Sequence, residues 1–296
     1  MPKVQIGGVE LYYEQAGSGF PVVFVHGGFA SLASFLRALQ PYDWTWEWEF
    51  ARLFQFIWYD RRGCYRSPLP QNADFSIPAQ AQDLEGLLDL LGIPSAHIVA
   101  SSAGGPIGLY FTATRPQRVC SLTLVGTGLA LFPPGDPYRE IIAEQLRILE
   151  TEGPEAAYAD RPAGVETTLQ VLWELMEAKA RGELEALRKR EKLLTKAAKR
   201  LPRQARVRYY VAELRNIQAY MDLDLQPYAE KITVRTLVLH GNCDRVVPLE
   251  WGKALADSIT LAEFVVIQNG PHGLLFRSSE ARKLVIEHIR ECECSR

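Results

Sequence analysis

Two adjacent serines stand between small residues in the short run Val99-Ala-Ser-Ser-Ala-Gly-Gly105. A serine nucleophile on a sharp turn from a strand into a helix is usually marked by Gly-x-Ser-x-Gly, because the residues two before and two after it pack closely together. For Ser102 those positions hold alanine and glycine, whereas for Ser101 they hold valine and alanine. A β-branched valine suits the crowded position poorly, so the pattern predicts Ser102 as the nucleophile. A helix-capping pair of serines is the competing interpretation, and the choice depends on partner residues.

A serine nucleophile needs a base, and the base needs an acid that orients it. His272 lies in Asn269-Gly-Pro-His-Gly273, a loop directly after an apolar run, and Asp244 lies in the loop after the preceding apolar run. Loops at the carboxyl ends of parallel strands are where catalytic residues are usually found. We therefore expect Ser102, Asp244 and His272 to meet at one edge of a sheet, although each loop residue taken alone could have an ordinary structural role.

Short apolar runs that alternate with helical patterns must position these residues. The N-terminal segment alternates apolar and polar residues on both sides of Gly7-Gly8, which is typical of a β-hairpin. Further strands are predicted at 21–25, 56–59, 97–100, 121–125, 234–240 and 263–267, and helices at about 81–91, 103–114 and 279–291. This alternation predicts an α/β fold, with a mostly parallel sheet and helices on both of its faces.

A long helical insertion interrupts this alternation. The strand and helix pattern stops near Leu131 and resumes at Val234, and the residues between show helical periodicity alone. We predict a core of residues 1–131 and 230–296, with an inserted helical cap, or lid, of residues 132–229. An insertion at this point leaves the sheet at its carboxyl edge, so the cap is expected to lie over Ser102.

Composition limits the classes of function. The chain has 296 residues, of which 47% are hydrophobic, and a formal net charge of −2. This charge gives no indication of a nucleic-acid or membrane partner, and the N-terminal residues lack the apolar segment of a signal peptide. The five cysteines have no metal-ligand spacing and are interpreted as reduced thiols. We expect a cytoplasmic protein, and the sequence leaves open whether it forms a homo-oligomer.

Five short motifs, in order, resemble those of the α/β-hydrolase superfamily with a helical cap. They are Val25-His-Gly-Gly28, Asp60-Arg-Arg-Gly63 through Ser67, Ala100-Ser-Ser-Ala-Gly104, His240-Gly-Asn-Cys-Asp244 and Gly270-Pro-His-Gly273. The resemblance implies a catalytic triad of Ser102, Asp244 and His272, which follow the family's chain order of Ser, Asp and His. It implies an oxyanion hole made by the backbone N–H groups of Ala103 and Phe29, with Gly28 as the alternative to Phe29. It implies neither a metal nor an organic cofactor.

Two residues depart from the family's motifs. Ala100 replaces the first glycine of the nucleophile turn, and Tyr65 replaces the second glycine of Asp-x-Arg-Gly-x-Gly-x-Ser. The second departure concerns the shape of that loop rather than the triad. The aromatic stretch Trp44–Phe50 is a separate feature. We interpret it as a helix packed on the sheet, in preference to the lining of an apolar substrate pocket.

The serine at this turn narrows the expected reaction. Relatives that open epoxides or displace halide have Asp there, so Ser102 favours acyl transfer, and we expect a hydrolase acting on a small-molecule carboxylic ester. An aminopeptidase of the proline-iminopeptidase kind has a similar cap but usually has His-Gly-Gly-Pro-Gly, where this chain has His-Gly-Gly-Phe-Ala. Two further alternatives keep the triad: a carbon–carbon bond hydrolase of dienone products and a hormone receptor that does not turn its ligand over.

Overall fold

Eight strands form one sheet in the computed structural model, which describes residues 3–29, 45–64, 66–67, 73–136, 138–161, 185, 196, 199–221 and 223–292. The strands are β1 (Lys3–Ile6), β2 (Val9–Ala16), β3 (Pro21–Val25), β4 (Gln55–Asp60), β5 (Ala96–Ser101), β6 (Val119–Val125), β7 (Thr236–Gly241) and β8 (Ala262–Ile267). Their order is β1-β2-β4-β3-β5-β6-β7-β8. The pairs β1/β2 and β2/β4 are antiparallel, and the other five pairs are parallel. The predicted α/β fold with a mostly parallel sheet is confirmed.

The helices of the described chain include six that are associated with the sheet and four that follow β6 and precede β7. The first group is α1 (Thr45–Ala51), α2 (Ile77–Leu90), α3 (Gly105–Thr114), α8 (Leu249–Asp257), α9 (Leu274–Arg277) and α10 (Ser279–Glu291). The second group is α4 (Tyr138–Thr151), α5 (Pro154–Ala159), α6 (Arg203–Met221) and α7 (Gln226–Ala229). The second group falls within the predicted cap, of which residues 137, 162–184, 186–195, 197–198 and 222 lie outside the described part of the chain.

The sheet has an apolar core on each of its two faces. β5 is buried along its whole length, because its neighbours β3 and β6 cover its edges and helices cover its faces. One cluster of buried residues includes Val23, Ile98 and Leu124. The other cluster includes Val22, Val99 and Val125, so neighbouring residues of one strand point to opposite faces.

The aromatic stretch near residue 46 belongs to the second of these clusters. Trp46 is buried on α1, with its ring edge-on to that of Phe24 at 5.1 Å between centroids. Phe50 lies 5.3 Å from Phe56 on β4, measured between ring centroids. The interpretation as a helix packed on the sheet is confirmed for residues 45–51, and Trp44 lies outside the described residues.

The cysteines differ in one respect from the expectation of reduced thiols. Cys64, Cys243 and Cys292 are not disulfide-bonded, but Cys120 is disulfide-bonded, so the expectation is wrong at that position. Cys120 is half-buried at the start of β6, close to the end of α10, where the Cys292 thiol contacts Ser121. Cysteine spacing in the sequence could not reveal this proximity, because it arises from the packing of α10 against the sheet. Across the described ranges, the helices are too short or too polar to cross a bilayer.

Candidate active site

Ser102 stands on a sharp turn between β5 and α3. β5 ends at Ser101, a single 3₁₀ turn covers Ser102–Gly104, and α3 begins at Gly105. The φ angle of Ser102 is +50°, in the left-handed region that residues with a side chain rarely adopt. Such strain is typical of a catalytic position held by its surroundings. Ser101 instead lies in the extended strand and is buried.

The small residues around this turn are required by close backbone contacts. A Cβ atom on Gly104 would lie 2.2 Å from the carbonyl oxygen of Val25. Ala100, which replaces the usual glycine, places its methyl group toward α3, where a Cβ on Gly108 would lie 2.7 Å from it. The extra methyl group at position 100 is therefore accommodated by a glycine in the following helix.

The three predicted triad residues meet in one chain of hydrogen bonds. His272 Nε2 lies 3.1 Å from Ser102 Oγ, and His272 Nδ1 lies 2.7 Å from Asp244 Oδ2. With the Nδ1 proton donated to the carboxylate, Nε2 is free to accept a proton from the serine hydroxyl. The His272 side chain is 21% exposed and that of Asp244 only 1%, so the acid is shielded from water while the base is partly exposed to solvent. This arrangement can activate a serine nucleophile.

Several neighbours hold the Asp244 carboxylate in place. The backbone N–H groups of Val246 and Val247 donate to Asp244 Oδ1 at 2.8 and 2.9 Å. Burial raises the pKa of Asp244, but the hydrogen bond and charge of His272, with these two N–H groups, outweigh burial and leave the pKa below its ordinary value. Asp244 is therefore a carboxylate throughout the neutral range.

His240 and Gly126 support this pair and were not identified from the sequence. The buried His240 donates from Nε2 to the carbonyl of Val247 at 2.9 Å, and this nitrogen lies 3.6 Å from Asp244 Oδ2. Burial lowers the pKa of His240, so it acts as a neutral donor that fixes the loop. A Cβ on Gly126 would lie 3.2 Å from Asp244 Oδ2. The sequence offered one signal for His240, which is its position before Gly241 at the end of an apolar run.

The predicted oxyanion-hole residues border the nucleophile. Gly28, Phe29 and Ser102 line one small cavity of about 20 Å³, and Ala103 follows Ser102 and is fully buried. The remaining lining residues are apolar except for one acid, and they are Leu131, Phe132, Asp136, Val246 and Val247. The described residues contain no group of three or more His, Cys, Asp or Glu side chains that could hold a metal ion.

Comparison with known proteins matches this fold and places it among hydrolases. The family model described as alpha/beta hydrolase fold matches residues 21–278. RutD of Stutzerimonas stutzeri, whose name designates it a candidate carbamate hydrolase, is 26% identical over 239 residues, which are 80% of this chain and 82% of that protein. The 2-hydroxy-6-oxo-6-phenylhexa-2,4-dienoate hydrolase of Comamonas testosteroni is 24% identical over 291 residues, or 95% and 91% of the two chains.

A solved structure adds a third kind of substrate to this group. Est816, described as an N-acyl homoserine lactone degrading enzyme, superposes with a TM-score of 0.66 and 25% identity, and covers 97% of this chain and 99% of its own. The names of these proteins refer to different scissile bonds. The bond that this chain cleaves must therefore be argued from its own site.

Proposed function

This chain belongs to the alpha/beta hydrolase fold family, and we propose that it is a serine hydrolase that cleaves uncharged carboxylic esters through an acyl-enzyme intermediate. The observation that carries the proposal is the chain of hydrogen bonds from Ser102 Oγ through His272 to Asp244, of 3.1 and 2.7 Å. Its position at the carboxyl end of β5, on a strained turn beside an apolar cavity, supports the same conclusion.

Acylation follows from the direction of these hydrogen bonds. Ser102 Oγ attacks the ester carbonyl carbon while His272 Nε2 takes the hydroxyl proton, and Asp244 stabilises the resulting imidazolium. The carbonyl oxygen becomes an oxyanion, held by the N–H groups of Ala103 and Phe29, with Gly28 as the alternative to Phe29. The tetrahedral intermediate then collapses, and the leaving alkoxide takes the proton from His272.

Deacylation repeats these steps with water. His272 removes a proton from a water molecule, which attacks the carbonyl carbon of the acylated Ser102, and the same N–H groups hold the second oxyanion. When this intermediate collapses, the carboxylic acid leaves and Ser102 Oγ regains the proton from His272.

The lining of the cavity supports an uncharged acyl group. It is apolar apart from Asp136. Among the described residues, the Asp136 carboxylate accepts one hydrogen bond, from the N–H of Tyr138 at 2.9 Å, and has no ion pair. A carboxylate on the substrate would meet like charge there, whereas a neutral acyl chain would contact Phe29, Leu131 and Phe132. Leu131, Phe132 and Asp136 stand where the core meets residues 132–229, which we propose as a cap over the site.

Asp136 also favours a second candidate, an aminopeptidase. A carboxylate in an apolar site could accept hydrogen bonds from the ammonium group of an amino-acyl substrate. Ester cleavage remains the main proposal, because an alkoxide or phenoxide leaves more readily than an amine and no further acid lines the cavity among the described residues.

A panel of chromogenic substrates tests the proposal. We expect kcat/KM for p-nitrophenyl butyrate to exceed that for proline p-nitroanilide by about tenfold or more, which is about 1.4 kcal/mol in transition-state binding. A tenfold preference for the anilide would establish the aminopeptidase instead, and a failure to complete multiple turnovers would indicate a receptor.

An anionic ester tests the role of Asp136. We expect p-nitrophenyl hydrogen adipate, whose acyl chain ends in a carboxylate, to react more slowly than the butyrate ester. Asp136→Asn should raise the adipate to butyrate ratio of kcat/KM by roughly fivefold, because it removes the like charge. An unchanged ratio would show that Asp136 does not select the substrate.

A further inference from the structure

A buried arginine lies directly behind the proposed oxyanion loop. Arg61 follows β4 and is 1% exposed. Its Nη1 donates to Gln80 Oε1 and to the hydroxyl of Tyr220, each at 2.9 Å, and its Nη2 donates to the carbonyl oxygen of Gly28. None of these partners is a carboxylate, and Arg61 forms no ion pair within the described part of the chain. Among the described residues, no carboxylate in direct contact with Arg61 therefore compensates its positive charge.

The contact with Gly28 acts on a particular peptide group. The carbonyl of Gly28 and the N–H of Phe29 belong to the same planar trans peptide, so they point in opposite directions. A donor that fixes the Gly28 carbonyl on one side of this peptide therefore directs the Phe29 N–H toward the opposite side. A charged donor also polarises the amide and makes its N–H a stronger hydrogen-bond donor.

His26 holds the preceding peptide in the same way. The backbone N–H of Arg61 donates to His26 Nε2 at 3.1 Å, which places the ring proton on Nδ1. That Nδ1–H then donates to the carbonyl of Gly27 at 2.7 Å, the carbonyl that shares its peptide with the N–H of Gly28. Burial, with the charge of Arg61, lowers the pKa of His26 to about 3, so this tautomer persists at neutral pH.

Tyr220 connects this arginine to the nucleophile turn. It is buried on α6, accepts from Arg61 and donates to the carbonyl oxygen of Ala103 at 2.6 Å. Its ring also lies edge-on to that of Phe29, with 5.2 Å between centroids. One side chain from the segment between β6 and β7 therefore contacts both residues whose N–H groups are assigned to the oxyanion hole.

We infer that Arg61 and Tyr220 are positioning residues that set the oxyanion hole: Arg61 orients and polarises the peptide that carries the Phe29 N–H, and Tyr220 fixes this loop against the backbone of Ala103. The inference rests on the proposed function in one respect, the assignment of these N–H groups as oxyanion donors. It goes beyond the triad, because it makes a cap helix part of the stabilisation of the transition state.

Tyr220→Phe tests the inference, with Tyr210→Phe as its matched control. Both tyrosines are buried on α6, but the Tyr210 hydroxyl donates to Gln145 Oε1 at 2.7 Å, away from the loop. The measurements are kcat and KM for p-nitrophenyl butyrate and the Ki of an alkyl trifluoromethyl ketone, which adds to the serine as a hemiketal oxyanion. We expect Tyr220→Phe to lower kcat and raise Ki by about tenfold each with KM unchanged, and Tyr210→Phe to change each by less than about twofold.

Gln80→Glu tests the charge of Arg61 without removing its side chain. The new carboxylate would keep an acceptor beside Arg61 Nη1 while it compensates the positive charge. We expect it to raise the Ki of the ketone by at least about threefold. The unfolding midpoint separates this effect from loss of the hydrogen bond that Gln80 Nε2 donates to the carbonyl of Phe75.

Two results would overturn the inference. Equal Ki values for Tyr220→Phe and Tyr210→Phe would show that Tyr220 does not position the oxyanion hole. An unchanged Ki for Gln80→Glu would show that the charge of Arg61 does not strengthen it. Wild-type ester turnover tests the proposed function separately, because hemiketal formation requires the nucleophile and the oxyanion hole but no turnover.

Discussion

Gly126 is the residue whose replacement most directly disturbs the acid and base without removing either. It has a φ angle of +56°, and a Cβ there would lie 3.2 Å from Asp244 Oδ2 and 3.4 Å from His272 Nδ1. We expect Gly126→Ala to lower kcat by about tenfold or more, because a displaced imidazole accepts the serine proton poorly. Steady-state kinetics on p-nitrophenyl butyrate measures this.

Gly153→Ala is the control for Gly126→Ala. Gly153 also has a positive φ angle, of +93°, but a Cβ there would meet no atom within 4 Å. Gly153→Ala places a side chain at a positive φ angle, as Gly126→Ala does, but its Cβ contacts neither Asp244 nor His272. Its kcat should therefore stay near that of the wild type. Equal losses in the two variants would mean that strain, rather than contact with the triad, causes the effect.

At the residue scale, the sequence predicted the three residues that meet in the hydrogen-bond chain but not the residues that hold the neighbouring loop. Ser102, Asp244 and His272 could be predicted because residue type and position after an apolar run are local signals. Arg61 and Tyr220 could not, because their contact joins residues 159 positions apart. Nothing in the local pattern of a helical segment distinguishes Tyr220 from the other buried tyrosine of α6.

At the scale of elements, the close packing of β5 against α3 predicts that Gly108→Ala destabilises the protein. A Cβ at Gly108 would lie 2.7 Å from the methyl group of Ala100. Gly→Ala inside a helix usually stabilises by roughly 0.5–1 kcal/mol, but here overpacking should reverse the sign and cost about 1–3 kcal/mol. The free energy of unfolding in urea measures this.

Ala100→Gly should rescue Gly108→Ala. The double variant removes the methyl group that the new side chain meets, so the two changes should couple by roughly 0.5–3 kcal/mol in a double-mutant cycle. Additive effects would mean that the crowding involves other neighbours, of which Ile98 is one at 3.4 Å from the same Cβ position.

Most elements could be predicted from the sequence, whereas their arrangement could not. The pattern of residues 279–291 predicted α10 with the observed bounds, and the strand predicted at 121–125 begins at Val119. The hairpin was correct because Gly7 and Gly8 both adopt positive φ angles in its turn. β2 pairs directly with β4 in an antiparallel arrangement, although β3 lies between them in the sequence. This pairing depends on contacts distant in sequence and has no local signal.

At the scale of the whole molecule, Glu47 couples stability to pH. It is 4% exposed on α1, and its Oε2 has no hydrogen-bond partner within the described residues. Burial, with the charge of Glu14 adding to it, raises the pKa of Glu47 to about 8 from an ordinary 4.5. The folded state therefore holds a proton that the unfolded state releases between these values, so stability falls as pH rises through this window.

Glu47→Gln should remove that dependence. It should be more stable than the wild type at pH 9, by on the order of a few kcal/mol, and of similar stability at pH 4. Urea unfolding of both proteins at the two pH values measures the difference. Parallel stability curves would show that Glu47 does not titrate in this window.

The division of the whole chain into core and cap remains a prediction. Residues 1–131 and 230–296 hold the triad and the described strands, but much of 132–229 lies outside the described residues. Periodicity predicted that segment to be helical without specifying how its helices pack. The scissile bond is likewise not readable from motifs, because the proteins similar to this chain are named for different substrates.

Trapping the acyl-enzyme tests the central claim most directly. Wild-type protein would be mixed with p-nitrophenyl butyrate, quenched in acid within one turnover and mapped by peptide mass spectrometry. We predict a butyryl group on Ser102, its retention in Ser101→Ala, and its absence in Ser102→Ala, with kcat lowered on the order of 10³-fold or more in the last variant. A butyryl group on Ser101, or ester turnover by Ser102→Ala at the wild-type rate, would contradict the account.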